Sequence, residues 1–252
     1  MFWRSIITVL AGSLLTAPAV GLERPYRVSL IGDAYDGTAW RTGVLIEMEE
    51  GWKTYWRMPG EAGIPPEFTW KTSVPADVDV LFPVPGRYAD ASGETVGYQR
   101  EVVFPVIVAA PGQTSVTLDL SLFFAVCKDI CIPAHAEVSI ELGTGVRDPE
   151  GVARVEEFVK AVPLAGSAIT SASITQEAGK PMLQLELQDK AEDIFVETAT
   201  TAYFRAPAFS DDGLKASLVI DNADDPSKLK GATLKITYTR LGLGLEQSVR
   251  LP

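Results

Sequence analysis

Ser115-Val116-Thr117-Leu118-Asp119-Leu120-Ser121-Leu122-Phe123-Phe124-Ala125-Val126-Cys127-Lys128-Asp129-Ile130-Cys131-Ile132-Pro133-Ala134-His135 is the stretch that decides the fold. From Ser115 to Phe124 it reads as a strand, with polar and apolar residues alternating at period two. Two cysteines follow, four positions apart. On a fully extended chain their Cα atoms would lie about 13 Å apart, at ~3.3 Å per residue. A disulfide needs roughly 4.4–6.8 Å. Lys128-Asp129-Ile130 must therefore fold back as a turn if the pair bonds. Asp129 suits such a turn, and Pro133 is expected to end the segment that follows.

Outward from this stretch, Arg27–Ile31, Thr42–Met48, Thr54–Arg57, Val102–Val108 and Ala136–Leu142 also read as strands, rich in β-branched and aromatic residues. Pro59, Pro65, Pro66, Pro75, Pro83, Pro85 and Pro111 are expected between strands, in loops. Short strands at this spacing predict an antiparallel sandwich. Trp40, Trp52, Trp56 and Trp70 all lie in this half and read mostly as core and turn residues.

Asp148-Pro149-Glu150 has the features of a helix start, with a capping carboxylate and a proline at the first helical position. Val152, Val155, Val159 and Val162 then share one helical face, and Pro163 and Gly166 end it. Beyond it, Ser173–Thr175, Met182–Gln188, Ile194–Thr198, Tyr203–Ala206, Ser217–Ile220, Thr233–Thr239 and Gln247–Leu251 read as strands again. Turns are expected at Gly213 and Asn222–Asp225. The fold class is all-β: a sandwich over residues 20–146, a short helical connector over 147–165 and a second, smaller β domain over 166–252. The second domain has no Cys, His or Trp, and no chemistry is visible in it.

Residues 1–19 read as a cleavable signal peptide. Arg4 supplies the positive start, Ile6–Leu15 an apolar run of about ten residues, and Ala17-Pro18-Ala19 a small-residue cleavage site. Export predicts an oxidising compartment in which a disulfide persists. The formal net charge of −11 leaves no basic surface for nucleic acid. One His and two Cys rule out a four-cysteine zinc site and a multi-histidine metal centre.

The constellation that could carry chemistry is Cys127 with Cys131, and three readings stand side by side. The pair can be an inert bridge. In the loop-entropy model a five-residue loop contributes only about 2 kcal/mol, less than a longer one. It can be a redox pair, with Lys128 favouring a thiolate and Asp129 opposing it. Or it can bind copper(I) together with His135, as two sulfurs and an imidazole would. Against the last, Pro133 breaks any helix that would align the three.

A family resemblance adds to this. Gly51-Trp52-Lys53-Thr54-Tyr55-Trp56-Arg57-Met58-Pro59-Gly60-Glu61-Ala62-Gly63-Ile64-Pro65-Pro66-Glu67-Phe68 resembles the opening half of the N-terminal periplasmic domain of the thiol:disulfide interchange DsbD family, in its ScsB-like variant. The match continues through Phe82-Pro83-Val84-Pro85, Gly97-Tyr98 and Val103-Phe104-Pro105-Val106, and ends on Cys127 to Pro133. It covers residues 25–145; the second domain resembles the extra β domain of ScsB-like proteins. The resemblance implies an immunoglobulin-like sandwich in the periplasm. It implies that Cys127 and Cys131 form a redox pair that needs no cofactor and no metal. Electrons would come from a membrane-embedded donor of the DsbD or CcdA type and pass to oxidised periplasmic thioredoxin-fold proteins. Cys131 is taken as the attacking sulfur and the chain as a monomer. The family shields its pair with a cap loop, which falls here on Arg87–Tyr98 with Tyr88 or Tyr98 as the covering aromatic. That stretch contains no Phe, and the family's membrane conduit and thioredoxin-like domain find no counterpart. The Cys-x-x-x-Cys spacing is also similar to that of Sco copper chaperones, but there it starts a helix.

Overall fold

The computed structural model describes residues 24–60, 63–90, 93–145, 147–221 and 229–252. The signal peptide at 1–19 and the turn at Asn222–Asp225 lie outside the described residues. The first unit contains β1 (Tyr26–Tyr35), β2 (Trp40–Met48), β3 (Lys53–Gly60), β4 (Glu67–Thr72), β5 (Asp77–Val80), β6 (Gly86–Asp90), β7 (Gly93–Gln99), β8 (Glu101–Ala109), β9 (Ser115–Cys127) and β10 (Cys131–Gly143). Helix α1 (Pro149–Val159) follows. The second unit contains β11 (Leu164–Ala165), β12 (Ile169–Glu177), β13 (Lys180–Leu187), β14 (Asp193–Glu197), β15 (Tyr203–Phe204), β16 (Ala208–Phe209), β17 (Lys215–Asp221), β18 (Thr233–Arg240) and β19 (Leu243–Arg250).

The alternation read in the sequence governs β9. Val116, Leu118, Leu120, Leu122 and Phe124 are buried, while Ser115, Asp119 and Phe123 between them are exposed. This apolar face belongs to the sheet ordered β10-β9-β3-β7-β6, with β4 pairing β9. The opposing sheet is ordered β1-β2-β8-β5 and contributes Val44, Ile46, Phe104 and Val106 to the same core. Each large apolar side chain taken fully out of water stabilises the fold by ~1.5–3 kcal/mol, so these two inner faces dominate its energetics. Trp40 and Trp56 lie in that core as read, and Trp52 and Trp70 pack on its margin.

Three local readings are corrected. Pro133 does not end a segment: β10 begins at Cys131 and runs through it. β10 is an edge strand, where a residue without an N–H is tolerated. Pro59 lies inside β3 rather than between strands. Finally, β4, β5 and the β6–β7 hairpin occupy stretches whose prolines had signalled loops. In β4, Phe68 and Trp70 turn to the core while Glu67, Thr69 and Lys71 are exposed, a strand hidden by flanking prolines.

Asp148 caps α1 as expected, accepting from Gly151 N at 2.9 Å and also from Gly32 N at 3.0 Å. The helix stops at Val159, before Val162. It packs against β1, β2 and β8, with Val155 buried and Phe158 against the first core, so it forms part of that unit's wall. The second unit builds its own core from Leu183, Leu185, Leu218, Leu234, Ile236 and Tyr238, between sheets ordered β11-β19-β18-β14 and β12-β13-β17-β15. Phe195 is an exception: it stands on β14 yet is buried in the first unit's core, 5.8 Å from the Trp56 ring.

Candidate functional site

Cys127 ends β9 and Cys131 starts β10, directly opposite each other in the antiparallel register. The chain between them turns back over Lys128-Asp129-Ile130, with Lys128 N donating to Ile130 O at 3.2 Å. Turn and register bring the Cα atoms to 4.2 Å, and the two sulfurs are bonded.

The two halves of the bridge differ in access. Cys127 is 1% exposed, whereas Cys131 lies open to solvent. The cause is the face of β9 on which Cys127 stands. Period two puts Ala125 and Cys127 on the outer side of the sheet, which is exposed at Ser115, Asp119 and Phe123. At this end the outer side is covered by a small apolar cluster of Tyr55, Ala125 and Cys127, with Ile64 packed against it. Gly63 makes the cover tight, since a Cβ there would lie 2.5 Å from Tyr55 Cδ1.

Tyr55 is the group in contact with the bridge. Its hydroxyl lies 2.7 Å from Cys127 Sγ and 3.2 Å from Cys131 Sγ. A phenol at that distance can donate to a thiolate as the bridge opens, stabilising the charged form. Lys53 pairs with Cys127 across the β3–β9 ladder and is buried. Cross-strand partners stand on one face of a sheet, so Lys53 shares the face of Cys127. Lys128, the cation expected from the sequence, is exposed and donates to Glu50 O at 3.3 Å.

The other expected site residues lie elsewhere. Tyr98 is buried in the first core, its hydroxyl donating to Pro83 O at 2.8 Å and its ring 5.4 Å from Phe104. Tyr88 is half-buried on β6, its hydroxyl folded back over Gly86, and burial pushes its pKa up. Ile64 packs against the cluster of Tyr55, Ala125 and Cys127 instead. His135 is exposed on β10, beside Ser121 Oγ at 3.5 Å and Glu137 at 3.6 Å. Along the unbroken strand from Cys131 to His135 the two Cα atoms lie about 13 Å apart. The copper arrangement of Cys127, Cys131 and His135 is thus not assembled, and no metal-ligating cluster occurs among the described residues. Sequence reading missed Tyr55, one of seven tyrosines. Its only signal was a place in the motif Gly51–Phe68, on a strand that alternates.

Residues flanking Cys131 on either side, Ile130, Ile132 and Pro133, line a groove of about 810 Å³ together with Tyr26 and Trp52 among others.

A contact with the second unit lies further along β3. Arg57, two residues along β3, donates to Glu197 from Nε at 2.8 Å and from Nη2 at 2.7 Å, and pairs with Glu246 as well. Its guanidinium lies 4.6 Å from the Trp56 ring centre. Burial works against the Arg57 charge, and Glu197 and Glu246 outweigh it, holding the pKa above the ordinary arginine value. On the neighbouring hairpin, Arg87 pairs with Asp193 at 3.2 Å and with Glu94 at 2.6 Å, and donates to Ile194 O at 2.8 Å. The Tyr203 hydroxyl donates to Glu94.

Comparison with known proteins agrees with this geometry. Residues 27–142 match the family model described as "Thiol:disulfide interchange protein DsbD, N-terminal". No curated protein matches in sequence. The crystal structure of the N-terminal periplasmic domain of ScsB from Proteus mirabilis superposes with a TM-score of 0.74 at 22% identity, over 94% of this chain and 96% of that one. The likeness spans both units and shows the fold: immunoglobulin-like, as the family resemblance implied.

Proposed function

From a first unit that is an N-terminal domain of the DsbD family, we propose that this chain is a periplasmic dithiol shuttle working through Cys127 and Cys131. Thiol–disulfide exchange in general is the chemistry of a bonded cysteine pair in such a domain. The finer reading concerns direction and order.

In the reduced chain the Cys131 thiolate attacks one sulfur of a partner disulfide. A Cys131–partner bond forms, and the partner's other sulfur leaves as a thiolate. The Cys127 thiolate then attacks Cys131 Sγ, re-forming the bridge and releasing the partner as a dithiol. Two electrons pass to the partner, and the chain ends oxidised. A dithiol donor returns two electrons by the reverse sequence. By family likeness the donor is a membrane-embedded protein of the DsbD or CcdA type, and the acceptors are oxidised periplasmic thioredoxin-fold proteins. The chain is read as acting as an exported monomer. No helix among the described residues is long and apolar enough to cross a membrane.

One observation carries this reading: of the two bonded cysteines, Cys131 is an exposed residue and Cys127 is buried. An inert staple has no need of an open side. Exchange needs one sulfur that a partner can reach and a second, protected one to resolve the intermediate.

The test is a trap. Cys127→Ser leaves Cys131 reachable without a resolving sulfur, so mixed disulfides with periplasmic proteins should accumulate and dissolve on reduction. Cys131→Ser should trap far less. If neither variant captures any protein, the shuttle reading is wrong and the bridge is structural.

A further inference from the structure

The strand that carries Tyr55 is poorly held by its own sheet just past that residue. β3 pairs β9 only at Lys53 and Thr54. It pairs β7 from Lys53 to Tyr55 and then again at Gly60, opposite Thr95, with an irregularity between. Five positions on β3 thus span two on β7, and the segment after Tyr55 bulges out of the ladder. Its anchors are side chains, and they lead to the second unit. Trp56 points inward and meets Phe195; Arg57, inside the bulge, lies over the Trp56 and Phe82 rings and meets Glu197 and Glu246. The β6–β7 hairpin on the open side of β3 is tied to the same unit through Arg87, Asp193, Glu94 and Tyr203.

These contacts are well screened from water. Side-chain exposure is 21% for Arg57, 18% for Glu197, 12% for Arg87 and 17% for Glu94. Ion pairs at this depth are geometrically demanding, because an unmatched charge there is costly. They hold position in a way that exposed pairs do not.

We propose that the second unit is a positioning element for the redox pair: Glu197 and Glu246, acting through Arg57, and Asp193 and Tyr203, acting on the β6–β7 hairpin, fix the β3 segment that sets the Tyr55 hydroxyl against Cys127 and Cys131. This gives a role to a unit with no reactive group of its own. It rests on the exchange reading above. Tyr55 touches the reacting sulfurs; Arg57, Glu197 and Glu246 act only through it.

The experiment uses the reduced full-length chain and oxidised glutathione as the disulfide, with the rate followed against pH. Tyr55→Phe removes the hydroxyl, so the rise of the rate should move to higher pH and the rate at neutral pH should fall by about threefold or more. Glu197→Gln with Glu246→Gln, which keeps the side-chain shape, should move the profile in the same direction. Adding Tyr55→Phe to that pair should bring little further change, because coupled residues do not add. Asp193→Asn and Tyr203→Phe, each removing one contact to the hairpin, should give smaller shifts and serve if the Glu pair fails to fold. An unchanged pH profile in the Glu and hairpin variants, beside a shifted Tyr55→Phe, overturns the positioning role and leaves the shuttle intact. Full additivity overturns it too. A wild-type chain whose Cys127→Ser form traps nothing overturns the shuttle itself, a separate result.

Discussion

Two kinds of hairpin tip stand in the same molecule. In the second unit β12–β13 turns at Ala178-Gly179 and β18–β19 at Leu241-Gly242. All four residues have positive φ: 49° and 77° in the first tip, 51° and 73° in the second. These are two-residue turns of the mirror-image type, whose twist matches the strands they join. The β9–β10 tip of the first unit has three residues, Lys128-Asp129-Ile130, and none has positive φ. It is closed by a sulfur–sulfur bond. One unit fastens its hairpins with backbone geometry that never needs to open. The other fastens its decisive hairpin with the one covalent bond that an exchange partner can open and remake.

Four experiments test this contrast. The largest effect should come from the cores on which the tips are mounted. Phe104→Ala in the first unit should cost about 3–5 kcal/mol, and Leu183→Ala in the second about 2–5 kcal/mol, by urea denaturation. Because Phe195 and the Arg57 contacts join the units, both variants should shift one shared transition. Two resolved transitions would mean that the units are held together more weakly than this interface implies.

Next comes the covalent tip. Cys127→Ala with Cys131→Ala should lower stability by about 2 kcal/mol, the loop-entropy contribution of so short a loop, and leave the chain folded. Reducing the native chain should have a similar effect and speed amide exchange at Lys128–Ile130. Amide exchange at 178–179 and 241–242 should not change. Faster exchange at all three tips would show that the bridge supports more than its own turn.

The backbone tips should respond to a different change. Gly179→Ala and Gly242→Ala place a Cβ at positive φ, at a cost of about 1–2 kcal/mol each by thermal denaturation. Neither should alter the rate of disulfide exchange.

The smallest effect concerns two carboxylates close together in the first unit. Asp36 accepts from Ala39 N–H and from Thr38, which lowers its pKa from 3.8 to about 2. Its contribution is therefore present above pH 3.8 and lost as pH falls toward about 2. Asp33 has the opposite sign. Burial raises its pKa from 3.8, against the bond from Gly143 N–H, so stability falls as pH rises through the interval just above 3.8. In melting temperature against pH, Asp36→Asn should flatten the acid limb and Asp33→Asn should remove the opposing slope. Identical pH profiles for the two variants would contradict these assignments.

Much of this was open to reading in one dimension because strand alternation is local. Val116, Leu118, Leu120, Leu122 and Phe124 announce a buried face by their spacing alone, and Asp148-Pro149 announces a capped helix. The need for a bend between Cys127 and Cys131 follows from chain dimensions. Tyr55 could not be found that way. Its neighbours by sequence say only that it is on a strand, and its contact with the sulfurs spans 72 and 76 positions. The same holds for Arg57, 140 positions from Glu197. His135 is the converse case: near the pair along the chain, it is carried away from Cys131 by an extended strand that no spacing rule had excluded.

Read in one dimension, this chain alternates into antiparallel sheets, and its two cysteines, four positions apart, can bond only across a tight turn. Only the tertiary structure decided which cysteine faces the solvent, which hydroxyl attends the bridge, and that a second unit grips the strand bearing it. The reason is physical. Periodicity and turn geometry are properties of a few consecutive residues, whereas access and positioning arise when distant strands are packed against one another.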